Sequence, residues 1–177
     1  TPGFRSDFNI KAGMCRNANL LLPNTSSEAK LIQEGFSVPE RQLSVIPNGV
    51  ESRFANADAD IFTRQYGLKD FVLFAGQAGA PRKNIHKLLQ AVSGTDLPLV
   101  IIGKFGHDPY AQKCRRLADS LSQVLVLDPL PHDADLLASA YAACKVFVLP
   151  SQFETPGIAA MEAALAGANI AITEQGG

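Results

Sequence analysis

The sequence has 177 residues, 46% of them apolar and 19% charged, a profile that excludes a disordered or fibrous chain. No apolar run approaches the ~18–20 residues a helix needs to cross a bilayer, and a formal net charge of −1 offers no basic footprint for nucleic acid. Three scattered cysteines, Cys15, Cys114 and Cys144, fit free thiols in a reducing cytoplasm rather than a disulfide framework or a zinc site.

Residues Thr1–Met14 show little periodicity, which makes 1–16 a linker or terminal helix and 17–177 a single domain. "NANLLLP" then reads as a strand, "SSEAKLIQEGF" as a helix, and "LSVIPNGV" as a strand entering a Pro-Asn-Gly turn. The first residue is Thr rather than Met, nothing resembles a signal peptide, and the last residue follows an apparent strand and a glycine pair. Both ends look cut, as in a piece of a longer protein.

From Phe71 one rhythm repeats. Five short apolar runs, "FVLFAG", "LPLVIIG", "VLVLD", "KVFVLP" and "NIAIT", are continuously apolar rather than alternating, as strands buried on both faces are. Amphipathic stretches lie between them. "NIHKLLQAVS" places Ile85, Leu88, Leu89 and Val92 at helical spacing, and "DPYAQKCRRLADSLS" does the same with Tyr110, Cys114, Leu117 and Leu121. "DADLLASAYAAC" and "PGIAAMEAALAG" follow, the last stopping at Gly167. Alternating strands and helices predict an α/β fold with a doubly wound, mostly parallel, Rossmann-like sheet.

Ligands of such sheets bind beyond the carboxyl ends of the strands, and two loops there carry chemistry. "GQAGAPRKN" starts at Gly76 and Gln77 and brings Arg82 and Lys83 to a helix start. Two cations beside helix N–H groups suit a diphosphate. The alternative is a solvated basic loop, the commoner role of charged loop residues. Neither this loop nor "GKFGHD" is a dinucleotide fingerprint or a P-loop, which speaks against a dinucleotide-dependent oxidoreductase.

The second loop is "SQFETPGIAAMEA". Thr155 suits an N-cap and Pro156 a first helical residue. The N–H groups of Gly157 and Ile158 then lack partners inside the helix and are open to an anion. Glu154 precedes this start and Glu162 follows it, with seven residues between them. Glu154 could simply answer the helix dipole, an effect of ~0.3–1 kcal/mol at an exposed site, and Glu162 could be a solvated helix position. However, Glu162 stands among Ala159, Ala160, Ala163, Ala164 and Ala166, small neighbours that admit something bulky, and a carboxylate accepts two adjacent hydroxyls as phosphate cannot. His86, His107 and His132 share no spacing and read as three unrelated loop or surface histidines rather than a metal site. Arg115 and Arg116 read as a solvated helix face.

Together these stretches resemble the nucleotide-binding, C-terminal half of the family-4, or group 1, retaining glycosyltransferases of GT-B architecture. The resemblance runs from about Asn17 through "PNGV", "APRKN", the Glu-x7-Glu region and "TEQGG". It implies that the fold is one half of a GT-B enzyme, and that Lys83 and Arg82 hold the diphosphate of a nucleoside diphosphate sugar with the loop at Gly76 and Gln77. It further implies that the amides of Gly157 and Ile158 bind phosphate oxygens, that Glu154 touches the donor sugar and that Glu162 takes the ribose hydroxyls. The implied reaction is hexose-type transfer with retention of configuration, without a metal or other cofactor, in the cytoplasm. The acceptor would be read by an N-terminal domain absent here, through which peripheral membrane association could also run. Three positions depart from the family pattern. Gln77 stands where many members have Arg, Asp128 where many have Gly beside the nucleobase, and Thr155-Pro156 where Gly-Phe is usual. Gln77 and Asp128 leave open a non-catalytic nucleotide-sugar-binding module on a degenerate version of the fold.

Overall fold

A computed structural model describes residues 2–154 and 156–174, with side chains from residue 8 onward. The chain forms two compact units, one drawn from the residues up to Gly49, the other from Val50–Phe153 and the residues from Gly157 onward; Glu154 and Pro156 group with the first.

In the first unit the N-terminal segment is helical, α1 spanning Pro2–Asn17. Helix α2, Ser26–Phe36, starts where the local chemistry directs it: the Thr25 hydroxyl accepts the Glu28 N–H at 3.0 Å, and the Glu28 carboxylate reaches back to the Asn24 N–H at 2.7 Å. This reciprocal arrangement is a variant of the capping box. The strands expected in "NANLLLP" and "LSVIPNGV" do not form as full strands. The two segments run parallel and meet at one bridge, Leu21 with Leu43, supported by Leu21 N–H to Gln42 O and Ile46 N–H to Pro23 O. Leu20 and Leu22 are about half exposed, so no buried face rewards a longer ladder, and Pro23 and Pro47 remove donors from it.

The second unit is the doubly wound sheet. Before it comes a helix the periodicity of the sequence did not suggest, α3 (Ala59–Tyr66), capped by Asp58 and closed by Gly67 in the left-handed conformation. Then β1 (Val72–Ala75), α4 (Ile85–Val92), β2 (Leu99–Ile102), α5 (Pro109–Asp119), β3 (Val124–Leu127), α6 (Asp135–Ala143), β4 (Val146–Leu149), α7 (Ile158–Leu165) and β5 (Asn169–Ile172) alternate. All four strand pairings are parallel and the order is β3-β2-β1-β4-β5. The five apolar runs are thus the five strands. Burial is deepest in β1 and β2, with Leu73, Phe74 and residues 99–101 all at 0% exposure, whereas the edge strand β5 is mostly exposed rather than buried on both faces, because no strand pairs beyond it. Helix α4 buries Ile85, Leu88, Leu89 and Val92, the positions its spacing marked out. Helix α6 is buried nearly all round, which explains its small residues: α3 packs against it, and its buried Ser139 accepts the Phe62 N–H at 2.8 Å while donating to Asp58 O.

Hydrogen bonds continue past the strand ends and fix the loops there. Gly76 N–H reaches Ile102 O, Gly103 N–H reaches Leu127 O, and Gly79 N–H reaches Lys104 O at 3.1 Å. Gly76 has φ +145°, a conformation side chains rarely adopt. Gly103 lies so close to it that a Cβ would overlap the Gly76 carbonyl oxygen. Gly103→Ala is therefore expected to cost about 1–3 kcal/mol, the usual penalty of overpacking. Denaturant unfolding measures it, while Gly94→Ala, with open space around its Cβ position, should leave the midpoint almost unchanged.

Cys144 is 8% exposed and Cys114 fully buried; burial pushes the Cys144 thiol up to about 12 and the Cys114 thiol upward as well. A thiol raised in the folded state stays protonated where the unfolded one ionises. Its contribution is present below the unfolded value of 9.0 and is lost as pH rises toward about 12. Stability should fall across that alkaline window, and Cys144→Ala should flatten the fall in thermal unfolding followed against pH.

Candidate functional site

The winding of the sheet reverses between β1 and β4: the chain moves outward through β2 and β3, then returns to the other side of β1. Such a switch point opens a crevice at the carboxyl ends of the strands, and a cavity of about 300 Å³ lies here. Its floor is formed by the strand ends and the residues just beyond them, Ala75 to Gln77 at the end of β1 and Ile102 to Lys104 at the end of β2. Pro129, Leu130 and His132 enter from the loop after β3, Leu137 and Tyr141 from α6, and Ala159 and Glu162 from α7.

Glu162 is the chemical centre of this cavity. Helix α7 buries Ala160, Glu162 and Ala163 on one face, leaving Glu162 only 4% exposed, so it is not a solvated helix position. One carboxylate oxygen accepts the Tyr141 hydroxyl at 3.0 Å, and the other lies 2.8 Å from His132 Nε2. Burial, then the adjacent Glu162 carboxylate, pushes the Tyr141 hydroxyl well above its ordinary value, so it stays a donor to that carboxylate. His132 is about half exposed, its Nδ1 lies 3.4 Å from a Glu51 oxygen, and its ring meets Phe54 edge-on. Arg53 donates to the His132 carbonyl, pairs with Glu51 at 3.0 Å and stacks its guanidinium over Phe54. His132 is therefore not an unrelated loop histidine. Neither it, Tyr141, Glu51 nor Arg53 was apparent from sequence, although Tyr141 carried the same signal as Glu162, one large polar side chain in an alanine-rich helix.

The remaining sequence candidates fall as follows. Gly76, Gln77 and Glu162 share the cavity. Arg82 and Lys83 do not open a helix but form a 3-10 turn, Pro81–Lys83, and α4 begins only after Asn84. The Arg82 carbonyl accepts the Gln152 N–H at 2.8 Å, which ties this basic turn to the loop after β4. Helix α7 starts later than Thr155-Pro156 suggests. Gly157 is its cap, and the Gly157 carbonyl takes the first N–H groups, from Ala160 and Met161. Pro156 therefore lies outside the helix, Thr155 lies outside the described residues, and Ile158 and Ala159 carry the N–H groups without intrahelical partners. Glu154 belongs to the first unit. Asp108 caps α5 by accepting the Ala111 N–H. His107, Arg115, Arg116 and Asp128 surround a separate cavity of about 490 Å³ with Lys104 and Phe105; within it Arg115 pairs with Asp119 and lies against the Phe105 ring.

Tyr141→Phe removes one of the two hydrogen bonds seen on a carboxylate that solvent barely reaches. It should lower stability by ~1–3 kcal/mol, which chemical unfolding can read, with the far-ultraviolet spectrum unchanged.

The chain matches known proteins along most of its length. It is 30% identical over 176 residues to a D-inositol 3-phosphate glycosyltransferase of Stackebrandtia nassauensis, covering 90% of this chain and 40% of that protein. Among solved structures, HepE of Anabaena in complex with UDP-glucose superposes with a TM-score of 0.82 at 20% identity, covering 100% of this chain and 51% of that one. Sucrose-phosphate synthase from Thermosynechococcus elongatus gives a TM-score of 0.81 at 22% identity, covering 98% and 45%. The chain thus spans about half the length of these structures and less of the curated relative. The family model described as glycosyl transferases group 1 matches residues 59–177, and the chain belongs to that family.

Proposed function

We propose that this chain is the donor-binding half of a retaining glycosyltransferase, moving a hexose-type sugar from a nucleoside diphosphate to a glycan or other acceptor. The observation that carries this is the Glu162 carboxylate, almost fully buried yet lining a cavity at the switch point of the sheet. A carboxylate so placed is a ready acceptor for the two hydroxyls of a ribose. HepE, which shares the fold, holds UDP-glucose, in keeping with a nucleotide of this class here.

With the ribose on Glu162, the diphosphate runs toward the Gly76–Gln77 loop and the start of α7. There the Ile158 amide and its neighbours, with Arg82 and Lys83, stabilise charge on the leaving diphosphate. The family resemblance assigns contact with the transferred sugar to Glu154. The bond from the anomeric carbon to the diphosphate oxygen breaks while the acceptor hydroxyl oxygen bonds to the same face of that carbon and passes its proton to the departing diphosphate oxygen, through an oxocarbenium-like state. Lys83 and Arg82 supply the positive charge for departure, without a metal or other cofactor. The acceptor is read by a domain outside this chain, which also carries any peripheral membrane association. Among the described residues no helix is long and apolar enough to cross a membrane, and the three free cysteines suit a cytoplasmic, reducing setting.

Calorimetric titration with UDP, GDP, ADP and UDP-glucose tests this. At least one should bind at micromolar to millimolar strength, and Glu162→Ala and Lys83→Ala should each weaken it by about tenfold or more, as expected for hydrogen bonds and pairs involving charged groups. Binding by none of them, or binding indifferent to both substitutions, would overturn the proposal. Gln77, neutral where a cation is usual, favours the non-catalytic module as the second reading. Sugar transfer or slow donor hydrolysis by the intact protein excludes it.

A further inference from the structure

We propose that His132 is a positioning residue that makes the Glu162 site selective for ribose over 2′-deoxyribose. The inference rests on the placement of a ribose at Glu162 put forward above and adds the element that orients the carboxylate.

A carboxylate offers about four acceptor positions, two on each oxygen. In Glu162 one oxygen accepts the Tyr141 hydroxyl and the other faces His132 Nε2, so a position on each neighbouring oxygen is left for a pair of adjacent hydroxyls. Tyr141 alone cannot set that orientation, because a carboxylate held at one oxygen can pivot about the bond. The contact at the second oxygen stops the pivot.

His132 is about half exposed, and its own anchoring comes from a segment that does not line the cavity. Nδ1 faces Glu51, the ring edge rests on Phe54, and its carbonyl is gripped by Arg53, which also pairs with Glu51. The relay Glu51–His132–Glu162 thus runs from the 3-10 turn Ser52–Asn56 into the cavity. A purely structural role, filling space beside Glu162, would weaken all nucleotides alike; an orienting role weakens those that use both hydroxyls.

The test compares dissociation constants for UDP and 2′-deoxy-UDP, with GDP and 2′-deoxy-GDP in parallel, on the intact protein. The unsubstituted protein should prefer the ribonucleotide. His132→Ala should weaken it by about five- to tenfold, in line with loss of a hydrogen bond to a charged group, while the 2′-deoxy form changes little. His132→Gln, whose amide can donate from near the Nε2 position, should recover part of the preference, and Glu51→Gln should lose part of it. An unchanged preference in His132→Ala, or an equal loss for both sugars, overturns the inference. If Glu162→Ala abolishes the preference while His132→Ala keeps it, only the role of His132 falls. If Glu162→Ala leaves UDP and GDP binding untouched, the ribose placement falls and takes this inference with it. Should His132→Ala fail to fold, by thermal unfolding, Glu51→Gln decides: a retained ribose preference overturns the relay.

Discussion

A parallel sheet that starts in its middle and winds both ways must open a gap where the direction changes, because the connections on either side leave the strand ends on opposite faces. Here the gap falls between β1 and β4, and every other feature of the second unit is arranged around it. The strands on either side are apolar throughout and bring no polar side chain of their own to their carboxyl ends. Polar chemistry therefore has to come from the loops and helices above those ends. The close approach of Gly103 to the Gly76 carbonyl leaves no room for a side chain at Gly103, which keeps that part of the floor made of backbone.

Placing a carboxylate at the edge of such a space carries a desolvation cost that must be answered by hydrogen bonds. Glu162 receives them from two elements that follow β3 in the chain, the His132 loop and the Tyr141 helix. Tyr141 is in turn packed edge-on between Phe54 and Phe147, so the donor to the carboxylate is held by the same core that supports β4. Stability and site geometry are coupled at this point: α6, which packs against α3, carries the hydroxyl that a cavity-lining carboxylate oxygen accepts.

Much of this was legible in the sequence. Five continuously apolar runs became five parallel strands, although only the middle of the sheet is buried on both faces: β3 is half-buried and the edge strand β5 is mostly exposed. Ile85, Leu88, Leu89 and Val92 became the buried face of α4, as their helical spacing required. Glu162 could be singled out because an acid among alanines has no solubility role to play. The segments that failed were those with a weak demand for burial. Leu20 and Leu22 stay exposed, so "NANLLLP" never consolidates into a strand, and α3 escaped notice because only Phe62 of its residues is fully buried.

What the sequence determined by itself was local and periodic: the order of strands and helices from Phe71 onward, the presence of two cations in the loop after β1, and the family motif around Glu154 and Glu162. Local chemistry placed the starts of α2 and α5 at Thr25 and Asp108, since an N-cap bond spans only three residues. It did not place the start of α7, which the backbone around Gly157 moved beyond Thr155-Pro156. Only the tertiary structure decided that Glu51, His132, Tyr141 and Glu162 would meet. They come from four separate elements, and nothing in the spacing of residues so far apart encodes a contact of 2.8 Å. That contact exists because packing against Phe54 and the reversal of the sheet bring the loop after β3 over the first turns of α7.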